Sequence, residues 1–259
     1  MTDVLIERFE QGVAAWAEIT LKRPEKGNAL TVPMLRQLDG FARELEVDRS
    51  VRLVILRGRG RFFCTGGDIE AWGALGPHEM ARDWILPGID VFTRIAALPQ
   101  PVIAVLGGHT FGGGLELALA ADLRIAVRSA KLGTPEVTLG MISGWMGVSR
   151  LAETIGLARA RHMTLLGTPI AAAQAFDWGL VTAVAEDAED LEKQTAAWRE
   201  RLCANGPAAM ALVKGILGRL HADLRQHHAS AVAEAAGTAD CREGVRAFIE
   251  KRKPEFRNQ

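Results

Sequence analysis

Between Pro101 and Asp122 the chain reads PVIAVLGGHTFGGGLELALAAD, and few segments restrict a fold more. The apolar run Val102 to Leu106 predicts a buried strand. Two glycines follow, and then three more open an Ala/Leu-rich helix. A strand, a glycine turn and a helix aim backbone N–H groups outward, because the first amides of a helix have no partner inside it and carry its positive end. Without a Cβ, Gly112, Gly113 and Gly114 let a ligand come close to those amides. Glu116 falls three residues after Gly113, on the same helical face. A donor group and a carboxylate therefore look into one small volume. Weighed against this, glycines after a strand are often only a tight turn, and a single Glu on a helix is usually solvated. A dinucleotide site fits worse, since GGGLEL has no glycine at the third required place.

The chain ahead of this segment predicts a hairpin, Val4 to Phe9 and Val13 to Leu21, turning at Glu10-Gln11-Gly12. LKRPEKGNAL leaves the sheet. Thr31 is placed to cap a helix from Val32 to Val47 with Met34, Leu35, Leu38, Phe41 and Leu45 on one stripe. A strand from Arg52 to Arg57 runs into GRGRFFCTGGDI, a second strand, glycine turn and helix. Here Asp68 is expected to cap the next helix, and Cys64, with no cationic neighbour, to pack as an apolar residue. From Glu70 to Leu98 the pattern is helical but broken at Gly73, Gly76-Pro77 and Pro87-Gly88, which predicts a mobile lid or an irregular pocket wall carrying Trp72, Met80 and Trp84.

Beyond the central segment, Leu123 to Arg128 predicts a strand, and KLGTPEVTLGMISGWMG a third glycine-spaced loop. Glu136 sits there in surroundings too apolar for a free carboxylate, which makes it a second candidate for the site. Helices are expected over Trp145 to Ile155, Ala158 to Leu166 and Ala171 to Trp178, a last strand over Leu180 to Val184, and helix from Asp187 onward, interrupted at Asn205-Gly206-Pro207. Strands alternating with helices and then an all-helical end predict an α/β core with a helical appendage. His221, His227 and His228 lie on the terminal helices and read as surface groups; no fixed-period repeat is visible.

At 259 residues, with 48% hydrophobic and 24% charged, the composition is that of a soluble globular protein. Lys plus Arg and Asp plus Glu both number 31, so no net field draws the chain to nucleic acid or membrane. Three distant cysteines in no metal-type spacing, an N-terminus unlike a signal peptide and the lack of a long apolar run lead to the expectation of a reduced, cytoplasmic protein.

Taken in order, LKRPEKGNAL, GRGRFFCTGGDI, HTFGGGLELALAAD, TPEVTLGMISGWMGVSRL, WGLVTAV and CREGVRAFIEKRKPEF resemble motifs of the crotonase superfamily, the enoyl-CoA hydratase/isomerase family, over essentially the whole length. The resemblance implies an α/β fold: a crotonase (ClpP-like) spiral of ββα units over residues 1–196, with a C-terminal helical trimerisation region over 197–259. It also implies a homotrimer or a dimer of trimers and a CoA thioester substrate. No metal and no separate cofactor are expected, coenzyme A being part of the substrate, and neither nucleic acid nor membrane as a partner. Gly67 and Gly113 match the family's oxyanion-hole residues, Glu116 and Glu136 its two hydratase glutamates, and Gly144 the glycine beside the reacting water. Arg23, Lys26, Ala29, Thr65, Gly66, Asp68 and Ile69 fall in regions that hold CoA, and Phe248 and Lys251 resemble a C-terminal pair that reaches it.

The chemistry agrees with these residue types. A thioester whose β-carbon is attacked develops an enolate oxyanion, and two fixed amides stabilise it, each by on the order of 3 kcal/mol. Two carboxylates in different protonation states can move protons and place water. The expectation is an enoyl-CoA hydratase in which protonated Glu136 supplies the α-proton and Glu116 activates water. The rivals on this scaffold are a double-bond isomerase, a decarboxylase or a thioester hydrolase, and, in another class, a non-catalytic CoA- or RNA-binding relative. Two departures from the family pattern stand out. Leu106 is followed by Gly107-Gly108 where an Asn is usual, and SGWMG puts Trp145 and Met146 beside the reacting region, where they shape the acyl pocket or simply fill core.

Overall fold

The computed structural model describes residues 2–12, 14–73, 75–218, 239, 243, 247, 250–255 and 257. The first strands, β1 (Val4–Gln11) and β2 (Ala14–Leu21), form the expected antiparallel hairpin, Val4 facing Leu21. A 3-10 turn at Pro24–Lys26 leads to α1 (Val32–Val47), where Thr31 Oγ1 accepts from the Met34 N–H at 3.4 Å, as its type predicts. Met34, Leu35, Leu38, Ala42 and Leu45 bury one face. Phe41 sits at the margin of that face, half-buried.

Then come β3 (Leu53–Gly58), β4 (Phe62–Cys64), α2 (Ile69–Trp72), α3 (Pro77–Glu79), a π-helical turn over Met80–Ile85, and α4 (Leu86–Ala97). The break expected at Pro87-Gly88 does not occur. Residues 77–97 run on as one helical stretch: in the wider π-turn the Leu86 N–H reaches back to the Ala81 carbonyl, and this change of register accommodates Pro87, which donates no bond. The central segment supplies β5 (Val102–Leu106), β6 (His109–Phe111) and α5 (Gly113–Leu119), followed by β7 (Leu123–Val127), β8 (Lys131–Gly133) and a 3-10 turn over Pro135–Leu139. The remainder is α6 (Gly147–Ile155), α7 (Leu157–Leu166), β9 (Ile170–Ala171), α8 (Ala172–Asp177), β10 (Ala183–Ala185), α9 (Ala188–Cys203) and α10 (Pro207–Leu217).

Strands alternate between two sheets. One has the order β1-β2-β3-β5-β7-β10, parallel from β2 onward, and the other the order β4-β6-β8-β9. Each pass of the chain (β3 then β4, β5 then β6, β7 then β8) gives one strand to each sheet, so the structure repeats where the sequence shows no period. Strand β5 is buried on both faces, which explains its unbroken apolar run.

One strand boundary shifts. Leu180 lies in a turn, not in a strand: its N–H bonds the Ala175 carbonyl and its own carbonyl accepts from the buried Arg124 Nε at 2.7 Å. Leu191 and Thr195 are buried on α9, which packs on the large sheet and runs unbroken through the expected boundary at residue 196. His221, His227, His228, Cys241 and Phe248 lie outside the described residues. No helix among the described residues is long and apolar enough to cross a membrane.

Candidate active site

Strands β4 and β6 pair in parallel, Phe62 against His109 and Cys64 against Thr110, so the glycine turns that follow them emerge side by side. A Cβ added to Gly66 would sit 3.3 Å from the Gly113 nitrogen, and one on Gly113 would sit 3.4 Å from the Gly67 nitrogen. Leu30 forms a parallel bridge with Gly67, taking the Gly66 carbonyl and giving its own carbonyl to the Asp68 N–H, both at 2.8 Å. That pattern turns the Gly67 amide away from Leu30. The Gly113 amide, first of α5, likewise meets no backbone carbonyl among the described residues. Two convergent donors suit one oxygen.

Glu116 follows one turn along α5 and is 2% exposed. Its Oε1 accepts from the Trp145 and Gly147 N–H groups, both at 2.7 Å. Two amides flanking Met146, at the start of α6, thus hold a carboxylate from another helix. This also corrects the start of α6, expected at Trp145: Met146 is in the left-handed region (φ +70°), which turns the amides on either side of it toward Glu116 before the helix begins at Gly147. Burial, reinforced by the negative charge of Glu136, raises the Glu116 carboxyl to about 7, against the pull of the two amides and Arg150.

Glu136 comes from the 3-10 turn after β8. Both of its oxygens are buried without a hydrogen-bond partner of good geometry, and Oε1 lies 3.1 Å from the Cβ position of Gly112. Gly112 has φ +52°, which disfavours any side chain there. Burial raises the Glu136 carboxyl, with its own backbone and Ser143 opposing weakly.

Both glutamates line one cavity of about 110 Å³ together with Gly67, Gly113, Gly144 and Trp145. Thr65, Gly66 and Ile69 edge it, and the indoles of Trp72 and Trp84 close the wall beside Gly67. The expected lid residues are therefore a pocket wall, Trp84 being buried. Two larger clefts, about 390 and 430 Å³, lie at the start of α10 and between α1 and α4, and contain none of the expected site residues. Among the described residues, free amides and carboxylates of raised pKa converge in the small cavity, which makes it the candidate site.

At the cavity mouth the 23–30 segment runs beside 65–68, the Thr65 N–H bonding the Gly27 carbonyl at 3.0 Å. Arg23 pairs with Asp68 at 2.5 Å and donates to the Ala29 carbonyl at 3.2 Å. Asp68 also caps α2 by accepting from the Glu70 N–H. Burial pushes its carboxyl up, but the Arg23 hydrogen bond and charge prevail and hold it below the usual range. Lys26 makes an exposed pair with Glu70. Lys251 is exposed at φ +53°, and its expected companion Phe248 is outside the described residues.

Cys64 packs beneath α5 as expected, and burial pushes its thiol up to about 12. The sequence reading missed Asn28. It is fully buried, with its amide donating to the Arg59 and Phe62 carbonyls and accepting the Arg23 N–H, all at 2.8 Å, and it fastens the 23–30 segment in place. A glycine before an asparagine of positive φ, in a segment leaving a sheet, was the available signal. Arg150 and Gly147 were also missed, because a helix start that serves another helix leaves no local pattern.

A family model described as enoyl-CoA hydratase/isomerase matches residues 8–259. A probable enoyl-CoA hydratase of Bacillus subtilis is 35% identical over 252 residues, spanning 94% of this chain and 95% of that protein. A short-chain-enoyl-CoA hydratase of Clostridium acetobutylicum is 36% identical over 251 residues, with the same two shares. The crystal structure of an enoyl-CoA hydratase from Bacillus anthracis superposes with a TM-score of 0.92 at 32% identity, over 99% of this chain and all of the other. With its α/β spiral of paired strands, the chain belongs to the enoyl-CoA hydratase/isomerase family of the crotonase superfamily.

Proposed function

We propose that the cavity hydrates the 2,3 double bond of an enoyl-CoA thioester. The observation that carries this reading is the pair of carboxylates in one cavity with unequal support: Glu116 is clamped by two amides at 2.7 Å, and both Glu136 oxygens are buried with no partner of such geometry among the described residues. Two N–H donors favour the ionised form of Glu116, and a pKa near 7 suits a general base at neutral pH. Glu136, whose oxygens are buried without a comparable clamp, is the protonated partner.

The thioester oxygen accepts from the Gly67 and Gly113 amides. Water gives a proton to Glu116 as its oxygen bonds the β-carbon, the π electrons move onto the carbonyl, and the enolate collapses by taking the Glu136 proton at the α-carbon. Each turnover adds one water and transfers one proton from Glu136 to Glu116, and exchange with solvent restores both. The 23–29 and 65–69 segments, held against each other at the mouth, carry the CoA moiety.

The test is the loss of enone-thioester absorbance when purified protein meets crotonyl-CoA, with mass spectrometry for the gain of one water. Glu116→Gln and Glu136→Gln should each lower kcat by roughly 10²- to 10⁴-fold. Unchanged turnover in both variants sinks the assignment. A 2-enoyl product from a 3-enoyl thioester, without water gain, replaces it with isomerisation.

A further inference from the structure

Trp145 has a second bond to the site besides the amide it lends to Glu116. Its indole is 2% exposed and fills a slot left by two glycines. A Cβ on Gly113 would stand 2.4 Å from its Cζ3, and one on Gly88 in α4 would stand 2.2 Å from its Nε1. That Nε1–H donates to the Trp84 carbonyl in the π-turn at 3.1 Å, and the Trp84 and Phe92 rings lie 5.1 and 5.2 Å away. Trp84 Cζ2 in turn stands 2.7 Å from the Cβ position of Gly67. Each glycine that offers an amide to the thioester oxygen thus has an indole against its Cα.

Resting on the hydratase reading of this cavity, we infer that Trp145 sets the acyl length: the site takes short 2-enoyl thioesters and refuses long ones. An acyl group leaving the carbonyl between the two glutamates runs into the Trp145 ring. That ring cannot swing aside, being hydrogen-bonded at Nε1 and wedged between α4 and α5.

The experiment compares wild type, Trp145→Leu, Trp145→Met and Trp145→Phe on crotonyl-CoA and 2-octenoyl-CoA, with calorimetric binding of the saturated butyryl- and octanoyl-CoA. Wild type should prefer the four-carbon enoyl thioester by at least about 100-fold in kcat/KM, since pocket walls discriminate by roughly 10-fold or more per misplaced group. Leu or Met at position 145 should shrink that preference at least tenfold, and Phe, which keeps the bulk and loses the Nε1–H, should retain it. The wild-type ratio needs no variant to fold. Equal turnover and binding of both lengths by wild type, with the tail leaving over the exposed Leu139 and Ile142, overturns the inference; so does a ratio that Leu and Met both leave unchanged. If neither enoyl thioester gains water but butyryl-CoA still binds at least tenfold tighter than octanoyl-CoA in wild type and not in Trp145→Leu, the length limit stands and the hydratase reading falls.

Discussion

Glu116 and Glu136 reach one cavity from supports of opposite kind. Glu116 stands on a buried helix, its Oε1 clamped by two amides of a second helix start. Glu136 stands on a single 3-10 turn flanked by exposed Val137, Thr138 and Leu139, and its buried oxygens have no partner of good geometry among the described residues. The same side chain is thereby given two amide donors in one place and buried without such a clamp in the other. Charge state is set by the donors supplied, and the scaffold supplies them unequally.

The strongest way to break the contrast leaves both carboxylates in the sequence. A Cβ on Gly147 would stand 2.4 Å from Glu116 Cγ and 2.5 Å from its Oε1, so Gly147→Ala must push the clamped carboxylate off its amides. Hydration should fall by about 10²-fold or more, because a displaced base loses its alignment. The thermal cost should stay near the 1–3 kcal/mol of ordinary overpacking. Gly112→Ala makes the matching change at Glu136, where the contact is 3.1 Å and the φ of +52° adds backbone strain. A kcat for Gly147→Ala within twofold of wild type would show that the clamp does not matter.

The pH dependence separates the two groups next. The proposed reaction needs Glu116 ionised and Glu136 protonated, so kcat/KM should rise with pH through about 7 as Glu116 loses its proton, and fall again as Glu136 does. Stability should follow the first step with the opposite sign. Folding raises the Glu116 carboxyl from 4.5 to about 7, so the folded state binds this proton more tightly than the unfolded chain. The gain is full below pH 4.5 and is lost as pH rises through about 7, on the order of 3 kcal/mol over that window. Denaturant unfolding of wild type and Glu116→Gln from pH 4 to 8 checks it: wild type should lose stability relative to the variant as pH rises. A constant difference would mean that Glu116 titrates normally.

How much of this contrast was legible in the sequence follows from how local its causes are. Gly112 to Glu116 could be read as strand, turn and helix because every determinant lies within a dozen residues, and α1 with its Thr31 cap was legible for the same reason. Glu136 could be flagged as a carboxylate in apolar surroundings, but its lack of a partner is a fact about Gly112, far away in the chain. The second sheet was hidden because β4, β6, β8 and β9 are two or three residues long, too short for a period-2 pattern to stand out beside glycine turns. The clamp on Glu116 was hidden more deeply. It uses backbone amides of Trp145 and Gly147, and any residue has an amide, so side-chain identity carried no sign of it; what it required was Met146 at positive φ, which the sequence reads as ordinary helix.

Arg150 offers the finest adjustment. It lies one turn into α6, donates to the Trp145 carbonyl and to Thr93 Oγ1, both at 3.4 Å, and its charge lowers the Glu116 pKa while the amides do the same. It therefore acts behind the clamp, as a positioning residue that touches neither water nor thioester. Burial holds the Arg150 guanidinium below its ordinary range, with the charges of Glu116 and Glu153 pulling the other way. Removing the charge with Arg150→Met should shift the acid limb of kcat/KM to higher pH by a fraction of a unit, toward the limit that burial and Glu136 alone would set. The plateau rate at high pH should change less than about threefold, since the amides still hold Oε1. Arg150→Lys, which restores a charge but not the fork that reaches both Trp145 and Thr93, should return the limb only part of the way. A limb that does not move in Arg150→Met, with the plateau intact, would leave the two amides alone responsible for keeping Glu116 ionised, and the asymmetry between the carboxylates would then reside wholly in the turn at Met146.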